Sequence, residues 1–217
     1  MRIDPAEFRA RPLRVHTLLH DVPLEDVWAI RLRGGGPGRT IADLGPMFSA
    51  AIDVAPAIVK ALFRLRVRMG ALFGWDRQRP EWSAESYVHR LTRADRARST
   101  AAPGTPDGRL SLVYRFEDEQ LSEKRNGTVH AFSSLSMRPA EDGYLAYWAI
   151  YVRPVHRFTR LYMRAIDPFR RLLVYPAIIR EVESAWAERY RGAPIAGGAA
   201  AEKSGGASGA RDRTRAS

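Results

Sequence analysis

The 217-residue chain contains no cysteine. That excludes disulfides, thiolate nucleophiles and every zinc or iron–sulfur site built on thiolates. Lysine is nearly absent too. It occurs only at Lys60, Lys124 and Lys203, so arginine supplies 32 of the 35 basic residues. Long apolar runs are missing. The longest strongly apolar stretch without charge, GYLAYWAIYV at 143–152, falls far short of the roughly 20 residues a membrane-spanning helix needs. The first sixteen residues, MRIDPAEFRARPLRVH, are charged throughout and lack the apolar segment of a secretion signal. These absences predict a soluble, cytoplasmic protein.

The formal charge of +11 and the pI near 10.6 raise the question of a polyanionic partner. The basic residues are spread along the chain rather than gathered in one block. With abundant Ala and Gly, the preference for Arg over Lys also matches the codon habits of a GC-rich bacterial genome. A diffuse solvated surface is the expectation, with no specific nucleic-acid partner. Weak contact with an anionic membrane through the helical arginines (Lys60, Arg64 and Arg68; Arg157, Arg160 and Arg164) is the alternative.

Residues 31–40, RLRGGGPGRT, invite comparison with a phosphate loop. A Walker loop needs four residues between its glycines and then Gly-Lys-Ser/Thr. Here three residues separate Gly34 from Gly38, and Arg39 stands in place of Lys. The dinucleotide spacing also fails: counting from Gly34 the sixth position is Arg39, and counting from Gly36 it is Ile41. The segment is read as a turn. No nucleotide or other cofactor is expected.

The strand-like segments are 13–19, 85–92, 109–116, 128–138 and 143–153, rich in β-branched, aromatic and hydroxyl residues. Residues 139–142 read as a hairpin loop, and 117–124 as an edge strand or a loop. Pro23–Trp28 reads as a short helical start capped by Asp21. Residues 41–54 are ambiguous because Gly45-Pro46 interrupts them. Residues 56–74 carry the clearest helical stripe, Ile58, Leu62, Leu65, Met69 and Leu72. A helical period returns from 155 to about 190, placing Val155, Phe158, Tyr162, Ile166, Phe169, Leu172 or Leu173, Ile179, Val182 and Trp186 on one side. Pro168 and Pro176 predict a bend there. Segregated strands and helices argue an α+β fold. The expected form is a curved antiparallel sheet packed on a long C-terminal helix. Residues 1–12 read as a lead-in, 13–191 as a single domain, and the small polar segment 192–217 as a disordered tail.

Two stretches carry a family likeness. One is Val59-Lys60-Ala61-Leu62-Phe63-Arg64-Leu65-Arg66 with Leu72-Phe73-Gly74. The other is Val152-Arg153-Pro154-Val155-His156-Arg157, then Tyr162-Met163, then Pro168-Phe169-Arg170-Arg171-Leu172-Leu173-Val174. Over roughly 13–185 the chain resembles an uncharacterised bacterial domain-of-unknown-function family with START-like (SRPBCC, helix-grip) character. It departs from that pattern at Arg170, where the family often has His. The resemblance implies a cavity between sheet and C-terminal helix that holds a hydrophobic or amphipathic small molecule or lipid. It implies no particular reaction, although START-like relatives include cyclases and dehydratases.

Strand alternation proposes the lining. Trp148, with Tyr144, Ile150 and Val152, is placed inside, and Tyr147, Tyr151 and Arg153 on the wetter side. Leu112 and Tyr114 are expected to point inward together, as are Ser133, Leu135 and Met137. Tyr87, His89 and Leu91 share a face. The candidate ligand-binding residues are therefore Tyr87, His89, Leu112, Tyr114, Ser133 and Trp148, with Phe158 and Tyr162 from the helix: apolar walls with a few polar tips. The same residues would equally make a filled core. His16 and His20, in a strand, would stand about 13 Å apart, too far to share a metal. No Gly-x-Ser-x-Gly elbow or paired carboxylates occur, so no catalytic or metal-binding residue is assigned.

Overall fold

The computed structural model describes residues 1–54, 85–126, 129–154 and 167–192. The helix expected over 56–74 lies outside those residues, as do Phe158, Tyr162, residues 155–166 and the chain beyond 192.

Six strands form one antiparallel sheet in the order β1-β6-β5-β4-β3-β2. They are β1 Leu24–Arg33, β2 Pro106–Asp107, β3 Leu110–Arg115, β4 Glu119–Arg125, β5 Val129–Ala140 and β6 Gly143–Pro154. The two longest strands, β5 and β6, sit at the centre and meet through a tight turn at Glu141-Asp142. With the C-terminal helix this is the α+β sheet-and-helix architecture expected.

Both faces of the sheet are covered. One carries helices α3 (Ile41–Val54) and α5 (Tyr175–Arg189), with a π turn at Arg170–Val174 leading into α5. Trp28, Ile30, Leu32, Leu135, Met137, Tyr144, Ala146 and Trp148 of the sheet pack there against Leu44, Phe48, Tyr175, Ile179, Val182 and Trp186. The other face carries α1 (Pro5–Arg9), α2 (Arg14–Leu18) and a 3-10 turn at Tyr87–Arg90, which leads to α4 (Arg93–Arg98). Phe8, Val15, Leu18, Tyr87, Leu91, Tyr114, Phe132, Tyr147 and Tyr151 are buried in that layer. Fully burying one such apolar side chain contributes roughly 1.5–3 kcal/mol, so both layers are needed.

This second layer corrects several expectations. Tyr147 and Tyr151, assigned to the wetter side, are 2% and 3% exposed. Residues 13–19 are not a strand: Val15, Leu18 and Leu19 follow helical spacing and are buried. A carboxylate from elsewhere in the chain stabilises that short helix, since Glu119 accepts from the Arg14 and Val15 amides at 2.8 Å each. Pro23–Trp28 is not a helical start but the entry to β1, whose Val27 and Trp28 are both buried because both faces are covered. Within 85–92, expected as a strand, Tyr87–Arg90 form the 3-10 turn instead. The 117–124 segment is neither edge nor loop: β4 is an interior strand between β3 and β5. The first twelve residues carry α1, and Phe8 is fully buried. Phe169, Leu172 and Leu173, expected on the buried side, are exposed on the π turn and the residue before it.

The glycine loop does connect β1 to α3 as a turn. Its polar groups are satisfied from within. Tyr144 Oη donates to the Gly36 carbonyl at 2.7 Å and accepts from the Arg39 amide at 3.1 Å. Arg39 Nε donates to the Gly35 carbonyl at 2.6 Å. Glycine is required at Gly35, where φ is +99° and a Cβ would lie 2.8 Å from Trp186 Cζ2.

Candidate functional site on the helix face of the sheet

Strand register places one row of side chains across the helix face: Leu112 on β3, Ser122 on β4, Ser133 on β5, Ile150 on β6 and Asp26 on β1. The neighbouring row contains Gln120, Leu135, Trp148 and Trp28. At the middle of the second row Trp148 is 6% exposed. Its Nε1 donates to Ser133 Oγ at 3.0 Å. Phe48 and Tyr175 meet its ring edge-on at 5.2 and 5.1 Å between centroids, and Trp28 meets Tyr175 at 5.7 Å. The indole is thus fixed by packing and by one hydrogen bond.

The first row is less closed. Ser133 and Ile150 are half-buried, although they lie on the two central strands and face the helices. Ala131, one step further along β5, and Val174, at the junction with α5, are half-buried as well. Ser133, Ile150, Ala131 and Val174 thus stay partly exposed beside the buried indole of Trp148.

The ends of the row are polar and charge-paired. The Asp26 carboxylate is fully buried, with Arg2 Nε 3.1 Å and Arg171 Nε 3.0 Å from Oδ1, and Arg171 Nε 3.2 Å and Arg170 Nη2 3.5 Å from Oδ2. Oδ1 has these charges close by but no well-aligned hydrogen bond. Asp167 pairs with the same two arginines of the π turn. At the other end Asp107 Oδ2 accepts from Ser122 Oγ at 2.6 Å and Gln120 Nε2 at 2.8 Å, while Arg115 Nε donates to Gln120 Oε1 at 2.6 Å. A glycine at position 45 lets α3 come down on Gln120, since a Cβ there would lie 3.2 Å from Oε1.

The expected lining divides between the two faces. Trp148, Ser133 and Leu112 share the helix face. Tyr114 does not join Leu112: a bulge between them pairs Leu112 with Ser122 but Tyr114 with Leu121, turning Tyr114 to the opposite layer. There it donates to Glu119 at 2.5 Å, and burial pushes its phenol well up. Burial also raises the Glu119 carboxyl, against the pull of Tyr114 and two backbone amides. Tyr87 also lies in that layer, stacked under Arg90 and edge-on to Phe132. His89 is exposed on the 3-10 turn.

His130 lies on β5, opposite Arg125 of β4 and Arg153 of β6. It is 1% exposed, in the opposite layer, and pairs through Nε2 with Glu123 at 2.8 Å. Glu123 also accepts from Ser86 Oγ and from the Tyr87 amide. The pair ties the 3-10 turn to the sheet. His16 and His20 occupy a helix and its end rather than a strand, but each ring bonds locally: His16 to the Phe8 carbonyl and His20 to the Thr17 carbonyl. Among the described residues no group of His, Asp or Glu has the geometry of a metal site, and no helix is long and apolar enough to cross a membrane. Asp26 and Tyr175 were missed because single charged or phenolic residues in apolar surroundings carry no spacing signal.

No curated protein and no solved structure matches the chain. One family model does match, over residues 18–177, which takes in all six strands, the π turn and the first residues of α5. The chain belongs to that family, described as a protein of unknown function, DUF2867.

Proposed function

We propose that the protein binds a hydrophobic or amphipathic small molecule on the helix face of its sheet, in a START-like, helix-grip manner, and has no catalytic role. The observation that carries the reading is the half-burial of Ser133 and Ile150 at the centre of a covered sheet face, beside the fixed indole of Trp148. Ligand sites combine apolar walls with a few placed polar groups, and this row supplies both. Binding is favoured over a cyclase- or dehydratase-like reaction by the state of the titratable groups there. Asp26 is neutralised by guanidinium groups, and burial pushes the Tyr175 phenol up, away from the range of a general base.

Native mass spectrometry of freshly purified protein, with organic extraction of anything it carries, tests the reading. A stoichiometric ligand mass that disappears in Ile150→Trp, with the fold intact, supports it. A clean mass together with no saturable uptake of dodecanoate removes it.

A second reading rests on a separate observation. Phe169, Leu172 and Leu173 are 48%, 74% and 39% exposed. In a chain of charge +11 such an apolar patch suits a peripheral contact with anionic lipid. Sedimentation with phosphatidylglycerol vesicles should then fall steeply with salt and with Leu172→Glu. Vesicle binding that ignores both changes would dismiss it.

A further inference from the structure

The acceptors and donors along the helix-face row are unequally satisfied. Its carboxylates are charge-paired: Asp26 has three arginines close by, although its Oδ1 accepts no well-aligned hydrogen bond, and Asp107 is held by Gln120, Ser122 and Arg115. Trp28 Nε1 is buried with no hydrogen-bond partner. The Tyr175 ring packs edge-on against both Trp28 and Trp148, which brings its phenol beside the two indoles. Ser133 Oγ accepts from Trp148 and has its own proton left to give.

A buried donor without a partner costs free energy, and native proteins rarely leave one. Water can satisfy such a group only where two or more polar partners converge on it. Trp28 packs within the apolar cluster of the helix face, edge-on to Tyr175. Burial keeps Tyr175 as a neutral O–H across the physiological range, against the pull of the nearby Arg170 guanidinium. It therefore stays a donor.

Building on the small-molecule reading above, we propose that the ligand presents an oxygen acceptor, a carbonyl or a carboxylate, on an apolar body, and that Trp28 Nε1 and Tyr175 Oη donate to it. A cationic head would meet unsatisfied donors and the guanidinium groups of Arg170 and Arg171, and would be rejected. Specificity of this kind comes from polar groups left unpaired by the wrong ligand.

Three probes of equal chain length separate the possibilities by isothermal titration below their micellar concentrations: dodecanoate, its methyl ester and dodecyltrimethylammonium. The account expects the acid and the ester to bind and the ammonium not to. Trp28→Phe and Tyr175→Phe keep the rings and remove one donor each. Each should weaken dodecanoate by about tenfold, the usual effect of losing one hydrogen bond to a charged group. Equal binding of all three probes, or unchanged dodecanoate affinity in both variants, overturns the assignment of an acceptor while leaving the small-molecule site in place. Binding of none of the three overturns both. Thermal melts of the variants show whether a loss of affinity reflects a loss of fold.

Discussion

Gly35 lies directly beneath the indole of Trp186, so close that a Cβ on Gly35 would stand 2.8 Å from Cζ2. The glycine-rich loop therefore serves packing between β1 and α5. Gly35→Ala combines a positive φ with a ring that is fully buried and cannot yield, so it should destabilise by about 2–4 kcal/mol. Gly38→Ala has a positive φ but nothing within 4 Å, and should cost about 1 kcal/mol. Urea unfolding of the two variants checks the difference. Equal losses would mean that the contact with Trp186 is not what fixes the loop.

Removing the Asp26 carboxylate should be more damaging than its single position on an outer strand suggests. Asp26→Ala leaves Arg170 and Arg171 without their buried counter-charge and unfastens the N-terminal Arg2. Breaking a buried pair typically costs 3–5 kcal/mol. Arg2 is half exposed and can turn to water, so about 2–4 kcal/mol is expected. Hydrogen exchange should localise the loss to the π turn and the start of α5.

Glu123 is the corresponding fastening on the other face. Glu123→Ala strands three donors at once, from Ser86, Tyr87 and His130. A destabilisation of about 2–4 kcal/mol is expected. Faster amide exchange over 86–91 should accompany it, with the helix face unaffected. Exchange rising first in α5 would contradict the assignment of this pair to the 3-10 turn.

Acid sensitivity should trace in part to Asp21. Its hydrogen bonds to Arg90 lower the carboxyl pKa from 3.8 to about 2. A carboxylate whose folded pKa is depressed adds stability above its unfolded pKa and loses it as pH falls towards the folded value. The contribution is therefore present above about pH 4 and fades between about pH 4 and pH 2. The pair is a third exposed, so solvent screening keeps its worth to about 1 kcal/mol or less. Asp21→Asn should flatten the stability profile in that window and change little at pH 7. An unchanged slope below pH 4 would show that other carboxylates carry it.

How much of this the sequence carried depended on whether one face of an element or both were covered. β3, β5 and β6 were legible because their aromatic and β-branched residues are bounded by turns. β4, EQLSEKR, was not: it buries Glu119, Gln120, Ser122 and Glu123, each satisfied by partners distant in sequence. The helix Arg14–Leu18 read as alternating because its capping carboxylate comes from Glu119, 105 residues away. At the site, Trp148 and Ser133 were placed on one face by strand parity, and the structure joins them by a hydrogen bond. The same parity failed for Leu112 and Tyr114, because a bulge shifts register without a local sequence signal.

The openness of the Ser133 position carries the account, and the absence of native cysteine makes it directly measurable. Ser133→Cys and Ser134→Cys each introduce one near-isosteric thiol on adjacent residues of β5. Ser133 is half-buried on the helix face, while Ser134 is 0% exposed on the opposite one. The account predicts that a small methanethiosulfonate reagent modifies the 133 thiol of the folded protein much faster than the 134 thiol, and that dodecanoate slows the 133 reaction. A 133 thiol as inert as the one at 134, reacting only on unfolding, would mean that the helix face is a filled core and that no ligand enters there.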